Sequence, residues 1–187
     1  MSAAVTVLVD GYADERVAGT VTLVVDGDAV VVVDPGMVAD RSAILDPLRA
    51  AGFEPEQVTD VVFSHHHLDH TLHAALFVNA RFHDFQAIYQ ADVWEERPAE
   101  GFHLAESTWL IETPGHTDED ISTLAQTASG LVVMTHAWWM AEGPAEDPFA
   151  PDMAQLAAAR RRILDLRPSL VVPGHGPAFA PVESTPV

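Results

Sequence analysis

A short histidine-rich segment at residues 64–70, Ser-His-His-His-Leu-Asp-His, constrains this chain more than any other feature. It follows a run of β-branched and aromatic residues that is typical of a buried strand. Alternate side chains of an extended segment point the same way, so His65 and His67 can bind one metal ion together. The chain must then turn, which allows Asp69 and His70 to face a second ion. Since zinc prefers imidazole nitrogens and carboxylate oxygens, the segment predicts a metal centre at a strand end.

Three other apolar runs end in a short block that contains proline, glycine and a polar residue. Asp34-Pro35-Gly36, Pro114-Gly115-His116 and Pro173-Gly174-His175 each follow such a run. Glycine permits a sharp turn and proline ends a strand ladder, so each block should present a polar side chain at a strand end. We therefore predict that His116 and His175 are further metal ligands. Asp34 is predicted to orient a ligand histidine through its ring N–H.

Strands outnumber helices in the predicted pattern. We predict strands at residues 5–9, 20–25, 29–33, 58–63, 81–84, 108–113, 122–128, 131–135 and 169–172, and helices at 40–51, 70–77 and 152–166. Residues 92–101 are charged and are predicted to be an exposed excursion. Arg160, Arg161 and Arg162 are interpreted as a solvated helix face rather than a nucleic-acid patch. A length of 187 residues favours a single domain over residues 1–187.

The charge balance indicates which partners are favoured. The chain has 28 acidic residues and 9 basic ones, all arginine, for a formal net charge of −19. Such a surface repels phosphate backbones and anionic membranes. A nucleic-acid partner is therefore disfavoured, though not excluded, and a small-molecule substrate is favoured. Without cysteine, histidine and carboxylate must hold any metal. No secretory signal or membrane-spanning stretch is evident, so a cytoplasmic protein is expected; the pattern leaves its oligomeric state open.

The histidine-rich segment resembles the His-x-His-x-Asp-His signature of the metallo-β-lactamase superfamily of metallo-hydrolases. Residues 30–36, 113–117 and 172–177 match three further blocks of that family in order and spacing. Shorter matches at residues 11–13, 20–24 and 83–85 make the sequence similar to the metallo-β-lactamase-domain-containing protein 1 group. The resemblance implies an α/β fold, a four-layer αβ/βα sandwich with two sheets face to face, helices outside and the histidines at one edge.

The resemblance also implies a ligand set. One ion would be held by His65, His67 and His116, and the other by Asp69, His70 and His175. The family's bridging aspartate is replaced by His136. A neutral imidazole offers one lone pair and would bind one ion, so the two sites should differ in affinity. His136 is predicted to be a ligand, the alternative being a supporting or core histidine. The expected cofactor is zinc, as one or two ions, with iron or manganese as alternatives.

This chemistry predicts a metal-dependent hydrolase. A bound ion lowers the pKa of its water towards 7, and Asp69 is the best candidate for proton handling. The substrate would be a small ester, thioester, lactone, lactam or phosphodiester. The alternatives are a non-catalytic metal-binding protein and an iron-dependent oxidoreductase, whose usual ligand set needs the missing aspartate. Tyr12, Trp138 and Trp139 are candidates for substrate contact or for core packing.

Overall fold

Valine-rich strands form the larger of the two main sheets in the computed structural model, which describes residues 2–187 and also contains a small two-stranded sheet. In chain order the strands are β1 (Ala4–Val9), β2 (Tyr12–Ala13), β3 (Val17–Ala18), β4 (Val21–Asp26), β5 (Ala29–Val33), β6 (Asp60–Val62), β7 (Arg81–His83), β8 (Ala87–Gln90), β9 (Val93–Glu96), β10 (His103–Ala105), β11 (Thr108–Glu112), β12 (Ile121–Thr127), β13 (Gly130–Met134) and β14 (Leu170–Val172). The α-helices are α1 (Ser42–Ala50), α2 (Leu68–Thr71) and α3 (Met153–Asp165), with short 3-10 turns at Pro55–Gln57 and Ala74–Leu76. None of these helices is long and apolar enough to cross a bilayer.

Parallel strand pairs bring the predicted site segments to one edge. The larger sheet has the order β1-β4-β5-β6-β7-β8-β9 and the smaller one β10-β11-β12-β13-β14. β5 and β6 are parallel, with Val33 opposite Val62, and β13 and β14 are parallel, with Met134 opposite Val172. The helices α1 and α3 make the crossovers that these parallel pairs require. Each pair therefore ends at one edge of its sheet, where the segments after the strands lie side by side.

Three apolar clusters separate four layers. The first contains side chains from both sheets, such as Val31 and Leu110, and fills the space between them. The second joins the larger sheet to Ile44 and Leu48 of α1, and the third joins the smaller sheet to α3. The predicted αβ/βα sandwich is therefore confirmed.

The segment at residues 92–101 is more regular than predicted. Its first part, β9, pairs antiparallel with β8 at the edge of the larger sheet, although all four of its side chains are exposed. An edge strand open on both faces needs no alternation of apolar and polar residues. The sequence pattern therefore did not reveal it.

Two predicted surface or site residues belong to the interior. Arg160 is 1% exposed, donates from Nε to the Ala137 carbonyl at 2.7 Å and from Nη2 to the Pro144 carbonyl at 2.8 Å. The helical repeat places it on the buried face of α3 between Leu156 and Ile163. The interpretation of Arg160 as a solvated residue is therefore wrong.

Trp138 is also buried rather than available to a substrate. It is 0% exposed, and its indole N–H donates to the Pro186 carbonyl at 2.8 Å. Its ring lies 6.2 Å from that of Phe179, beneath the outer face of the smaller sheet. Of the two interpretations of Trp138 from sequence, core packing is the correct one.

Candidate metal centre

All the predicted ligands lie on segments that follow strand ends. The segment after β6 carries His65, His67, Asp69 and His70, while His116 follows β11, His136 follows β13 and His175 follows β14. The structure brings them into one cluster. The ring of His65 lies 4.6 Å from that of His67, 4.5 Å from that of His70 and 4.6 Å from that of His136, measured between centroids.

The ring nitrogens approach each other as ligands of a shared ion do. His67 Nδ1 and His116 Nε2 are 3.1 Å apart, and His136 Nε2 and His175 Nε2 are 3.3 Å apart. Two nitrogens bound at about 2.0–2.1 Å to a tetrahedral zinc ion are about 3.4 Å apart. The spacing of these histidine pairs therefore fits a metal ion.

Two overlapping groups of three histidines have ligand atoms within 4.8 Å of one another. One contains His65, His116 and His136, and the other His70, His136 and His175. His136 belongs to both groups and so lies between the two predicted ion positions. Asp69 borders the second group, with Oδ2 3.5 Å from His70 Nε2 and 3.6 Å from His175 Nε2.

Three nitrogens in the cluster are buried and have no hydrogen-bond partner within residues 2–187. They are His65 Nε2, His70 Nε2 and His136 Nδ1. Leaving a buried polar atom unpaired costs about 1–3 kcal/mol, so several such atoms in one place require an explanation. A cation would use the lone pairs of neutral rings, and the donor set of imidazole with carboxylate suits zinc. The residues present therefore fit a metal ion.

Asp34 fixes the orientation of His70. Its Oδ2 accepts from His70 Nδ1 at 2.9 Å, while Ser64 donates to the same carboxylate from its backbone N–H and its hydroxyl, each at 2.7 Å. Nε2 of His70 is thereby directed at the cluster. The prediction that Asp34 holds a histidine ring is confirmed.

Asp147 performs the same task for His116. Its Oδ2 accepts from His116 Nδ1 at 2.8 Å and from Trp139 Nε1 at 2.8 Å. Burial favours a raised pKa for Asp147, but the hydrogen bonds, above all that from His116, outweigh it and lower the pKa. His175 is held in turn by the Ala18 carbonyl, 2.9 Å from its Nδ1. Asp147 had no local sequence signal, because it lies 31 residues from its partner in an acidic loop.

The surroundings of His65 and His136 favour the neutral imidazole. Burial and the neighbouring histidines, His70 first among them, lower the pKa of His65 well below its usual value. Burial, followed by His65 and His70, does the same for the pKa of His136. A metal ligand must offer a free lone pair, so these shifts prepare the rings for binding.

Asp120 is a further buried acid that sequence reasoning missed. Burial raises its pKa to about 6, although Thr117 donates hydrogen bonds to it from N–H and hydroxyl. One of its oxygens lies 4.0 Å from His65 Nδ1, which also contacts the Ser64 hydroxyl at 3.0 Å. Its only sequence signal was its position four residues after His116.

His66 lies outside the cluster, because neighbouring side chains of an extended segment point in opposite directions. Its two ring nitrogens face Glu119 at 2.9 Å and Asp84 at 3.3 Å instead of the other histidines. His83 is buried and bonds through Nε2 to Asp60 at 2.8 Å. His83 and Asp84 therefore support the sheet rather than the cluster.

The segment bearing Asp69 depends on a close backbone approach at Gly36. A Cβ atom there would lie 1.6 Å from the Asp69 carbonyl oxygen, which accepts from the N–H of Gly19 at 2.9 Å and of Met37 at 3.1 Å. We expect Gly36→Ala to destabilise the fold by about 2–3 kcal/mol, as overpacking does, and to lower metal content. Denaturant unfolding and elemental analysis would measure both effects. Gly27→Ala is the control, because φ is +63° there but no heavy atom lies within 4 Å. Equal losses in the two variants would contradict the steric argument.

A cavity of about 370 Å³ opens onto the histidines. It is lined by Ala13, Val17, His67, Leu68, Asp69, His116, Trp139, Phe149 and His175. Trp139 is thus placed beside the cluster, while Tyr12 lies outside the lining, with the Arg16 guanidinium 5.4 Å over its ring. A cleft of this size, mostly apolar with a few convergent polar groups, is typical of a small-molecule site.

Comparison with known proteins agrees with this arrangement. Residues 14–175 match the Metallo-beta-lactamase superfamily. The chain is 29% identical to Metallo-beta-lactamase domain-containing protein 1 of Xenopus laevis in an alignment of 202 positions, gaps included. This alignment covers 96% of this chain and 82% of that protein. It is 32% identical to the protein of the same name from Mus musculus in an alignment of 236 positions, which covers 98% of this chain and 86% of that protein.

The fold also resembles that of solved structures. The crystal structure of a quorum-quenching N-acyl homoserine lactone lactonase superposes with a TM-score of 0.66 and 20% identity, covering 93% of this chain and 88% of that one. At this identity the likeness concerns the fold alone.

Proposed function

Because this chain belongs to the metallo-beta-lactamase superfamily, we propose that it is a metal-dependent hydrolase of a small ester, thioester, lactone, lactam or phosphodiester. The observation that carries the proposal is the group of buried imidazole nitrogens that have no hydrogen-bond partner within residues 2–187. They lie in a cluster whose other histidines, His67, His116 and His175, line a cavity of small-molecule size. The N-acyl homoserine lactone lactonase of similar fold supports hydrolysis as the reaction type.

We propose the ligand set that the resemblance to the superfamily implies, and the short distance between His67 Nδ1 and His116 Nε2 supports it. The first ion would be held by His65, His67 and His116, and the second by Asp69, His70 and His175. His136 would complete the second group through Nε2, which is 3.3 Å from His175 Nε2. Zinc is the proposed metal, as one or two ions, with iron or manganese as alternatives.

The chain's own residues would then prepare the reaction. A divalent ion supplies Lewis acidity, which lowers the pKa of water at the site towards about 7. Asp69, whose side chain is 20% exposed and borders the cavity, would accept the proton of the attacking water and return it to the leaving group. Asp34 and Asp147 hold the rings of His70 and His116 in the required orientation.

The experiment is elemental analysis of the purified chain together with an ester, thioester, lactone and phosphodiester screen. We expect close to one or two equivalents of metal, turnover of at least one class, loss of turnover on chelation and recovery when metal is restored. Metal binding without turnover of any class would instead support a non-catalytic metal-binding protein. Turnover that survives complete removal of metal would refute the metal-dependent mechanism.

A further inference from the structure

The cavity beside the histidines has an aromatic wall that is held in place from behind. Trp139 and Phe149 stack with ring centroids 5.9 Å apart and an interplanar angle of 19°. Asp147 accepts from the Trp139 indole at 2.8 Å and from the Phe149 backbone N–H at 3.0 Å. The same carboxylate holds His116, so the wall and a proposed metal ligand share one support.

Apolar side chains in and around this cavity are unusually exposed. Phe149 is 62% exposed, Leu68 66% and Val17 37%, and all three line the cavity. Clustered exposed apolar groups are typical of a binding site, since scattered ones are common but contiguous ones are not. The Phe149 ring lies 5.6 Å from that of His116 and 6.0 Å from that of His67. An apolar group packed on Phe149 would therefore lie next to the reacting position.

The charges at the cavity do not suit a phosphate backbone. Asp69 is the only formally charged lining residue other than the histidines, and no arginine lines the cavity. Of the arginines elsewhere, Arg160 is buried and Arg162 binds Glu100 at 2.6 Å. Binding to nucleic acids depends on cationic side chains that contact phosphates. Away from the metal ligands, this cavity offers apolar surface instead.

We propose that the cavity selects uncharged carboxylic thioesters, esters or lactones whose acyl chain is apolar and packs against Trp139 and Phe149. The substrate class rests on the proposed hydrolytic function. Water adds to the acyl carbon, the bond from that carbon to sulfur or oxygen breaks, and the leaving group takes the proton. The products are a carboxylic acid and a thiol or alcohol.

The test uses the metal-loaded full chain and acetyl, butanoyl, hexanoyl and octanoyl thioesters of one small thiol. Because the chain contains no cysteine, a thiol reagent detects the released thiol without reacting with the protein. We expect kcat/KM to rise at least tenfold from acetyl to hexanoyl, because each methylene that enters the cavity leaves water. Phe149→Ala and Leu68→Ala should each lower the hexanoyl-to-acetyl ratio several-fold. Val78→Ala, at an apolar residue that is 71% exposed and outside the cavity lining, should leave the ratio unchanged.

A binding measurement separates this inference from the proposed hydrolysis. Calorimetry should show that octanamide, a neutral compound that retains the acyl group, binds at least tenfold more tightly than acetamide, and that Phe149→Ala removes the difference. If octanamide binds in this way but no thioester is cleaved, the hydrolytic function fails and the acyl site stands. Cleavage without chain-length dependence, or absence of octanamide binding, overturns the acyl site. The acyl site would also be overturned if bis(p-nitrophenyl) phosphate were cleaved faster than the thioesters and Phe149→Ala did not change that rate.

Discussion

Replacing His116 with alanine should remove one bound metal ion and lower turnover by about a thousandfold or more. His116 Nε2 lies 3.1 Å from His67 Nδ1 and belongs to the trio with His65 and His136. A tetrahedral catalytic site with three protein ligands would be left with two. The attacking water would then lose the ion that lowers its pKa towards about 7. Elemental analysis and steady-state kinetics of the purified variant would measure both losses.

A matched variant distinguishes this effect from a general loss of stability. His103 is exposed and lies outside the histidine cluster. Its Nδ1 is 3.3 Å from the Ala105 carbonyl and its ring stacks on that of Trp109, so His103→Ala should keep its metal and turnover. His116→Ala also leaves Asp147 without one of its partners. A thermal melt of both variants is therefore needed. Full metal content with undiminished turnover in a folded His116→Ala protein would exclude His116 as a ligand.

Local sequence signals predicted the scaffold and the members of the cluster. Residues 29–33 were predicted as a strand and form β5, because a continuous valine run suits a strand buried on both faces. The helix predicted over residues 152–166 corresponds to α3, and the Asp152 side chain caps it by accepting from the Ala154 N–H at 2.8 Å. The histidines after Pro-Gly were found because glycine and proline mark strand ends wherever they occur. Each of these signals lies within a few consecutive residues.

Contacts between distant segments account for what the sequence did not reveal. The buried position of Arg160 follows from carbonyl groups at Ala137 and Pro144, 23 and 16 residues away. Its neighbours in sequence are alanines and arginines, which suggest a solvated face. The exposed Phe149 had no periodic context, because it lies in a proline-rich loop. Its importance for the cavity depends on a loop conformation that Asp147 holds.

Replacing His136 with alanine should weaken one metal-binding step and leave the other in place. His136 Nε2 is 3.3 Å from His175 Nε2. Although His136 also lies near His65 and His116, those two histidines and His67 supply three ligands to the other ion without it. We expect the weaker ion to lose about 100-fold or more in affinity, since changing even an outer partner of a ligand costs about 10–100-fold. Calorimetric titration of the metal-free protein should then show two separated steps. If both steps match those of the parent protein, His136 is a structural histidine.

His136→Asp tests whether this position can regain the carboxylate that the family normally places there. A carboxylate has two oxygens and can bind both ions, whereas a neutral imidazole has one lone pair. Occupancy of the weaker site should rise above that of His136→Ala and become less sensitive to chelator. Recovery should be partial, because aspartate is shorter than histidine and the backbone at this position is placed for an imidazole ring. That ring packs closely on Gly174, where an added Cβ atom would lie 2.2 Å from His136 Cδ2. His136→Asn is the matched control, since it keeps the shape of aspartate without its charge. Equal occupancy in the aspartate and asparagine variants would show that a carboxylate at this position does not reach the ions.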